Sequence, residues 1–487
     1  MNNEKDIVVG LDIGTTKIAC FIGQRGENGK VKILGFGKTP SKGVERGVVK
    51  SITSTADSIT KAVTDASEQA GIDVKEVYVG IAGQHIKSFS QLGYIMIPSD
   101  HELIRQEDID ALIEQQRNIM LEPGEEIIHV FPQNYIIDGE ELSSDIEPVG
   151  VRCKQLKSNF HIVTGNTVNL MNIHDSVELA GLKIKGVVLE PVASSLAVLD
   201  DTDMSSGVAL VDIGGGTTDI AIFHDGIIRH TSVLPLAGNA ITTDIKEGCH
   251  ILKNQAESLK TRFGSCLPQN VNENDIISIP GIKNQPAREI SMRTLASIIK
   301  ARTETILEQV EFEISKSQYK KDLLAGIVLT GGGAQLRHIK EFTEYQTGID
   351  TRIGLPNEHL ETDTDREIIN TMYSTGIGLV LYGLARIDAQ RSANNKEEEP
   401  EPDEQPTTNS SPFDNMPPMP ENIAFGDAPY EAPKVEKPIY NTPEDKNDKK
   451  KKNRIPGLIS YVEKYFGRVF GDETIRNEGD DEEEELV

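Results

Sequence analysis

An α/β fold built by duplication is what this sequence predicts, and three observations predict it. Up to about residue 391, short β-branched runs alternate with helical patterns, the texture of strands interleaved with helices. The stretch GLDIGTTKIACF at 10–21 returns as LVDIGGGTTDIAIF at 210–223, so that Asp12 and Asp212 stand 200 positions apart in matching surroundings. A chain of 487 residues is long enough for two or three domains and a substantial core.

Composition narrows the classes. Lys and Arg number 50 against 77 Asp and Glu, a formal charge of −27, and so acidic a chain argues against nucleic acid as its main partner. Cys20, Cys153, Cys249 and Cys266 are scattered with no CxxC pair, which predicts free thiols in a reducing cytoplasm and no structural zinc. The opening MNNEKDIVVGLDIG lacks the basic start and apolar run of a signal peptide. No stretch reaches the ~18 apolar residues of a membrane span, so the body reads as soluble.

Each copy of the repeat reads as strand, Gly/Thr turn and strand. Small turn residues let backbone N–H groups approach an anion closely. The acid at the end of the first strand, Asp12 or Asp212, points into the same space and can hold Mg²⁺ through its waters. Two such hairpins, one from each half, make a clamp for the phosphates of a nucleotide. A third glycine stretch, GIVLTGGGAQL at 326–336, follows an apolar strand and precedes a helical pattern. The chain has no GxxxxGK[ST], no GxGxxG after a strand and no GxSxG, so P-loop, dinucleotide and nucleophile-elbow chemistry are set aside. His129, His161 and His174 have no metal-ligand spacing and read as ordinary core or surface histidines.

With these residues in view, the chain resembles the actin–hexokinase–chaperone ATPase superfamily, through the hairpins at Asp12–Lys17 and Asp212–Asp219 and the glycines at 331–333. The segments GVVLEPVASSLAVL (186–199) and MYSTGIGLVLYGLAR (372–386) support it. Within that superfamily the chain is similar to the FtsA cell-division family. VGIAGQHIKSFSQLGYIMI (79–97) and the stretch 127–165 resemble that family's inserted subdomain. LPLAGNAITTDI (234–245) and QAESLK (255–260) resemble its second lobe.

The resemblance implies an actin-like two-lobe ATPase fold with a small inserted α+β subdomain. The first lobe would comprise 1–84, 163–205 and a closing helix at 372–391, interrupted by an interaction subdomain at 85–162. The second would comprise 206–238, a partner-binding upper part at 239–321, and 322–371. In the insert, strands near YIMI (94–97) and IIHVFPQNYII (127–137) surround a helix at RQEDIDALIEQQRNIML (105–121).

Site roles follow from the resemblance residue by residue. Gly14, Thr15, Thr16, Gly214, Gly215, Gly216, Thr217 and Thr218 would hold ATP phosphates, with Lys17 as neutraliser. Asp12 and Asp212 would orient Mg²⁺ through water. Glu190 is the candidate for positioning the attacking water, in a slow hydrolysis. Glu257 and Lys260, three apart on one helical face, would contact ribose and adenine, which would lie against the backbone of Gly331, Gly332 and Gly333. REISMRTLASIIKARTETILEQV (288–310) resembles the helix that receives the C-terminal peptide of FtsZ. Its Arg293, Lys300 and Arg302 would meet an acidic peptide.

Beyond residue 391 the texture changes. Eleven of the chain's 23 prolines fall between Pro400 and Pro443 among Glu, Asp, Asn and Ser, so 392–453 reads as a disordered linker. In 454–471 a helical projection gathers Ile455, Leu458, Ile459, Val462, Tyr465, Phe466, Val469 and Phe470 on one apolar arc. Six basic residues, Lys446, Lys449, Lys450, Lys451, Lys452 and Arg454, precede it. This is the pattern of an amphipathic anchor for an anionic membrane surface. The resemblance leads one to expect that helix at the chain's end, yet an acidic tail at 472–487 follows it.

The function implied is an ATP-binding division protein that forms filaments and tethers FtsZ to the cytoplasmic face of the cell membrane at the division site. There it would recruit later division proteins. Two other readings share the hairpins. A sugar-kinase-type phosphotransferase has no use for a lipid-seeking tail, and a DnaK-type chaperone would carry a β-rich domain where this chain has a polar linker.

Overall fold

The computed structural model describes residues 6–397 apart from 27, 99, 100, 144, 145 and 282–285, with side chains described to 391. The remainder of the expected linker, the amphipathic segment with Ile455, Leu458, Ile459, Val462, Phe466, Val469 and Phe470, and the acidic tail lie outside the described residues.

The first half opens with a meander, β1 (Ile7–Ile13), β2 (Lys17–Arg25) and β3 (Val31–Pro40), then the short pair β4 (Val44–Glu45) and β5 (Val48–Val49). Helix α1 (Ile52–Ala70) leads to β6 (Glu76–Ile81), parallel to β1. Ser51 caps α1 by accepting from the Ser54 amide, and Gly71 ends it in the left-handed conformation. Ala56, Ile59, Ala62, Val63 and Ala66 recur at helical spacing and bury that face against Leu11, Ile18 and Ile22.

The insert follows as β7 (Lys87–Met96), α2 (Gln106–Arg117), β8 (Glu125–Ile137), β9 (Glu140–Glu141) and β10 (Gln155–Asn166). Its sheet runs β7-β10-β8-β9, with α2 packed over Val130, Leu156, Phe160 and Ile162. The helix expected over 105–121 stops at Arg117, because Asn118 donates back to the Glu114 carbonyl at 2.9 Å and Pro123-Gly124 lies just ahead.

Helix α3 (Thr167–Leu179) and β11 (Lys183–Leu189) return to the first sheet, whose order is β11-β6-β1-β2-β3. Two helices, α4 (Glu190–Val198) and α5 (Asp201–Ser206), carry the chain into the second half. There β12 (Val208–Ile213), β13 (Thr218–His224) and β14 (Ile227–Leu234) form another meander, followed by α6 (Gly238–Cys249), α7 (Lys253–Phe263), β15 (Ile276–Ile279) and β16 (Arg288–Ser291). Then come α8 (Met292–Lys316), β17 (Ile327–Thr330), α9 (Ile339–Thr347), β18 (Thr351–Ile353) and α10 (Ser374–Glu397).

The second sheet, β14-β13-β12-β17-β18, matches the first in topology, so a whole sheet is duplicated and not the turn alone. Helices cover both faces, which is why β12 is buried at every position and β1 at all but its first. Between the lobes α4 and α10 share one core, in which Val192, Leu196, Val380 and Leu384 meet Phe21 of the first sheet and Phe223 of the second.

Two more expected boundaries move. Residues 288–291 pair with β15 as a strand, so the helix expected from 288 begins at Met292. Helix α10 runs to Glu397, past the 391 expected, with Arg391 forked onto Asp6 by two hydrogen bonds of 2.5 and 2.6 Å.

The insert is fastened to edge strand β14. Ser88 Oγ donates to the Thr231 carbonyl at 2.8 Å, Gln133 Nε2 to the Ile228 carbonyl at 2.7 Å, and Arg229 back to the Gln133 carbonyl at 2.8 Å. His161 Nε2 bonds Thr231 Oγ1 at 2.8 Å. An edge strand is thereby covered by side chains.

Candidate functional site

The two hairpins have turns of equal length. Strands β1 and β2 pair as far as Ile13 and Ile18, leaving Gly14–Lys17; β12 and β13 pair as far as Ile213 and Thr218, leaving Gly214–Thr217. In this register Lys17 corresponds to Thr217, Thr15 and Thr16 to Gly215 and Gly216, and Ala19 to Asp219. The Thr-Thr pairs that look alike in the sequence are therefore two places out of step. Thr218 lies on the strand, fully buried, and donates to the Leu236 carbonyl at 2.8 Å, away from the turn.

The tips of the two turns touch. A Cβ on Gly215 would fall 1.9 Å from Thr16 Oγ1, and one on Gly216 would fall 2.4 Å from Thr15 Oγ1 and 2.9 Å from Arg46 Cα. Glycine is required at both places for the lobes to approach this closely. Thr15 Oγ1 also accepts from the Gly47 amide at 3.0 Å, which ties the first turn to the β4–β5 connection.

Four carboxyl groups gather behind the turns. Asp12 accepts from Lys17 Nζ at 2.7 Å, and Lys17 lies 5.5 Å from the Tyr373 ring centre. Burial works against the lysine's charge, but Asp12, Asp212 and Glu190 more than reverse that and raise its pKa. Asp212 Oδ2 accepts from Ser194 Oγ at 2.8 Å, with Thr375 Oγ1 at 3.4 Å. Burial pushes Asp212 up to about 6, the Ser194 hydrogen bond opposing and Asp12 adding. Asp219 accepts from Thr217 Oγ1 at 3.1 Å and is pushed well above the carboxylate range by burial and by Asp212. Glu190, first residue of α4, is half-buried and ringed by protein. Burial, then Asp12, Asp219 and Asp212, raise it strongly against the pull of Lys17. Asp12, Asp212 and Glu190 share one lysine while Asp219 has Thr217, which leaves acceptor oxygens in excess of nearby donors, and Asp219 Oδ1 is buried with no hydrogen-bond partner.

On the far side of the second turn the Gly238 and Asn239 amides, at the start of α6, donate to the Gly214 and Gly215 carbonyls at 3.1 and 2.8 Å. Lys260 reaches the Gly238 carbonyl at 3.0 Å, Thr242 Oγ1 at 2.9 Å and Glu257 at 2.9 Å. Glu257 and Lys260 thus pair with each other and are anchored beside the hairpin. Gly331, at φ 84°, lies against Asp212, and Gly333 packs on Ile213, while Gly332 faces open space. The structure brings all three glycines to the second turn.

The basic residues expected for a partner are otherwise engaged. Arg302 forks onto Asp244 of α6 at 2.6 and 3.1 Å, Arg293 pairs with Glu273, and Lys300 lies 5.7 Å from the Phe342 ring centre. His129 accepts from the Leu189 amide at 3.0 Å, next to Glu190, and burial takes it down to about 3. His174, which showed no metal spacing, shares an exposed patch of α3 with Asp175 and Glu178. No disulfide joins the four cysteines. Among the described residues no helix is long and apolar enough to cross a membrane.

Sequence reasoning missed Asp219, Ser194 and Thr375 as site residues. Asp219 had a legible signal, an acid where the hairpin returns opposite Asp212. The two hydroxyls had none, lying 18 and 163 positions from the acid they face.

Comparisons with known proteins concern the family and the fold. A family model described as cell division protein FtsA matches residues 209–378, and one for the SHS2 domain inserted in FtsA matches 83–164. An Hsp70 protein model matches 166–232, across α4 and the second hairpin. The chain is 36% identical over 380 residues to cell division protein FtsA of Pseudomonas aeruginosa, covering 78% of this chain and 90% of that protein. It is 38% identical over 383 residues to that of Neisseria meningitidis serogroup B, covering 78% and 91%. The chain belongs to the FtsA family. Among solved structures, the PilM-PilN type IV pilus biogenesis complex matches at TM-score 0.55 and 15% identity, over 77% of this chain and 98% of that one. That likeness concerns the fold, which is the actin-like two-lobe ATPase fold with the FtsA-type insert.

Proposed function

We propose that this FtsA-family chain binds Mg-ATP between its hairpins and, as a filament, tethers FtsZ to the cytoplasmic face of the membrane at the division site. The observation that carries the nucleotide reading is the meeting of two glycine turns over Asp12, Glu190, Asp212 and Asp219. Surplus buried carboxylates and the orphaned Asp219 Oδ1 fit a divalent cation, and the exposed backbone of the turns fits phosphate.

In this reading Asp12 and Asp212 orient the waters of the cation, and Lys17 offsets phosphate charge while remaining paired with Asp12. Thr15, Thr16, Thr217 and the turn glycines Gly14, Gly214, Gly215 and Gly216 hold phosphate oxygens once the tips part. Glu190 accepts a hydrogen bond from water at the γ-phosphate. Glu257 and Lys260 would contact the ribose and base, which would lie along Gly331–Gly333. When bound, magnesium would supply positive charge to the phosphate chain. Turnover is slow, since a filament switch needs binding more than throughput.

The tethering reading rests on family membership, the amphipathic pattern at 454–471 and its preceding lysines. An acidic FtsZ tail would meet α8 through Arg293, Lys300 and Arg302 in exchange for Glu273 and Asp244. Co-pelleting of the full chain with anionic vesicles, with and without Mg-ATP and an FtsZ tail peptide, tests the whole. Vesicle binding that Phe466→Glu abolishes, and peptide recruitment that follows the vesicles, are the expected results. Wild-type vesicle binding by Phe466→Glu refutes the anchor, and failure to retain Mg-ATP refutes the nucleotide site.

A further inference from the structure

We propose that Ser194 and Thr375 are positioning residues for Asp212: one hydroxyl from each helix joining the lobes holds one carboxylate oxygen and turns the other toward bound Mg-ATP. The inference rests on the nucleotide reading above and assigns residues that the hairpin motifs do not contain.

The three side chains form a closed triangle. Ser194 Oγ donates to Asp212 Oδ2 at 2.8 Å, Thr375 Oγ1 is 3.4 Å from the same oxygen, and the two hydroxyls are 3.0 Å apart. All three residues are buried, so water does not compete for these bonds. Because both hydroxyls address Oδ2, they fix the plane of the carboxylate. Among the described residues no hydrogen bond ends on Oδ1, which faces Gly331. A Cβ there would stand 2.2 Å from Oδ1, so the missing side chain is what leaves that oxygen its room.

The supports are themselves anchored. Ser374, beside Thr375, is 2.6 Å from Thr330 Oγ1 at the end of β17 and donates to the Thr371 carbonyl at 3.0 Å. Ser194 lies one turn into α4, the helix that opens with Glu190. The aim of Asp212 is therefore set jointly by α4, α10 and the second sheet. A carboxylate that must present one oxygen to a hydrated cation benefits from this arrangement, since misplacement of a reacting or binding group by about 1 Å is costly.

Affinity of the full chain for a fluorescent ATP analogue, measured once with Mg²⁺ and once with EDTA, tests the proposal. Loss of a buried hydrogen bond to a charged group predicts roughly tenfold weaker binding for Ser194→Ala and roughly threefold for Thr375→Val in Mg²⁺, with affinity in EDTA within about twofold of wild type. Thr375→Ser keeps the hydroxyl and is expected to bind as wild type does. Equal losses with and without Mg²⁺, no loss at all, or Thr375→Ser behaving like Thr375→Val would overturn the assignment. Thr375→Val is isosteric, so a fold defect in Ser194→Ala leaves the question decidable. A wild-type chain without Mg²⁺-dependent binding overturns the nucleotide reading and this inference together; wild-type binding with unaffected variants overturns this inference alone.

Discussion

The two hairpins share register and turn length and differ in what holds their acids. Asp12 is gripped from within its own hairpin by Lys17, five residues on, at 2.7 Å. Asp212 has Thr217 at the equivalent place and is gripped from outside, by α4 and α10. The sheet edges differ in the same sense. Edge strand β14 of the second sheet carries the hydrogen bonds that hold the insert, whereas β3 lies under α1 and meets the loop at 359–361 through Val31. Duplication thus reproduced a backbone device but not its electrostatics. The first hairpin holds its own acid; the second relies for that on the two helices between the lobes.

The largest effect is expected where the tips meet. Gly216→Val would press a branched side chain on Thr15 and on the Arg46 backbone. Overpacking of ~3 kcal/mol is expected to appear as a lower urea midpoint, and a side chain standing where phosphate would approach the Gly216 backbone is expected to reduce nucleotide affinity by roughly a hundredfold. Unchanged affinity would mean that Gly216 takes no part in holding phosphate.

Lys17→Met tests the first hairpin's hold on its acid. It strands Asp12, a nearly buried carboxylate, but the lysine is a quarter exposed, so the loss is discounted to ~2 kcal/mol of unfolding free energy. Thr217→Val, the mirror change, is expected to cost less than half as much, because Asp219 loses only a neutral donor. Equal losses in denaturant titrations would erase the electrostatic difference between the hairpins.

At the β14 seam the test is pH. His161 is held neutral by burial, with His230 adding, and its pKa falls from 6.5 to about 3. A depressed histidine contributes stability that is present above pH 6.5 and lost as pH falls toward 3. At pH 5 the loss is ~2 kcal/mol relative to neutral pH. His161→Gln is expected to flatten the fall in stability between pH 7.5 and 5 by about that amount. An identical slope in wild type and variant would remove His161 as its source.

Smallest is Thr218→Val, which removes the bond to the Leu236 carbonyl. It is expected to cost ~1 kcal/mol of stability and leave nucleotide affinity unaltered. A marked loss of affinity would restore the Thr-Thr alignment that the register displaced.

Much of this was legible from the chain alone, for reasons of range. Whether DIG-plus-small-residues forms a tight hairpin depends on neighbours within seven positions, so both turns could be read in order, whereas the pairing of Lys17 with Asp12 was not read although the two lie five residues apart. Repetition at 200 positions disclosed the duplication, and the motif outside the hairpins disclosed the insert and the family. Other features have no local signature. The register that equates Lys17 with Thr217 is set by strand pairing, where a shift of one residue reverses every side chain. The engagement of Arg302 by Asp244 depends on how α8 lies against α6. Above all, the burial that pushes Asp212 to about 6 and the hydroxyls that steady it come from helices 18 and 163 positions away. A carboxylate's identity is written at its position, but its charge and aim depend on how far water is excluded and which donors arrive, and only the packed lobes decide both.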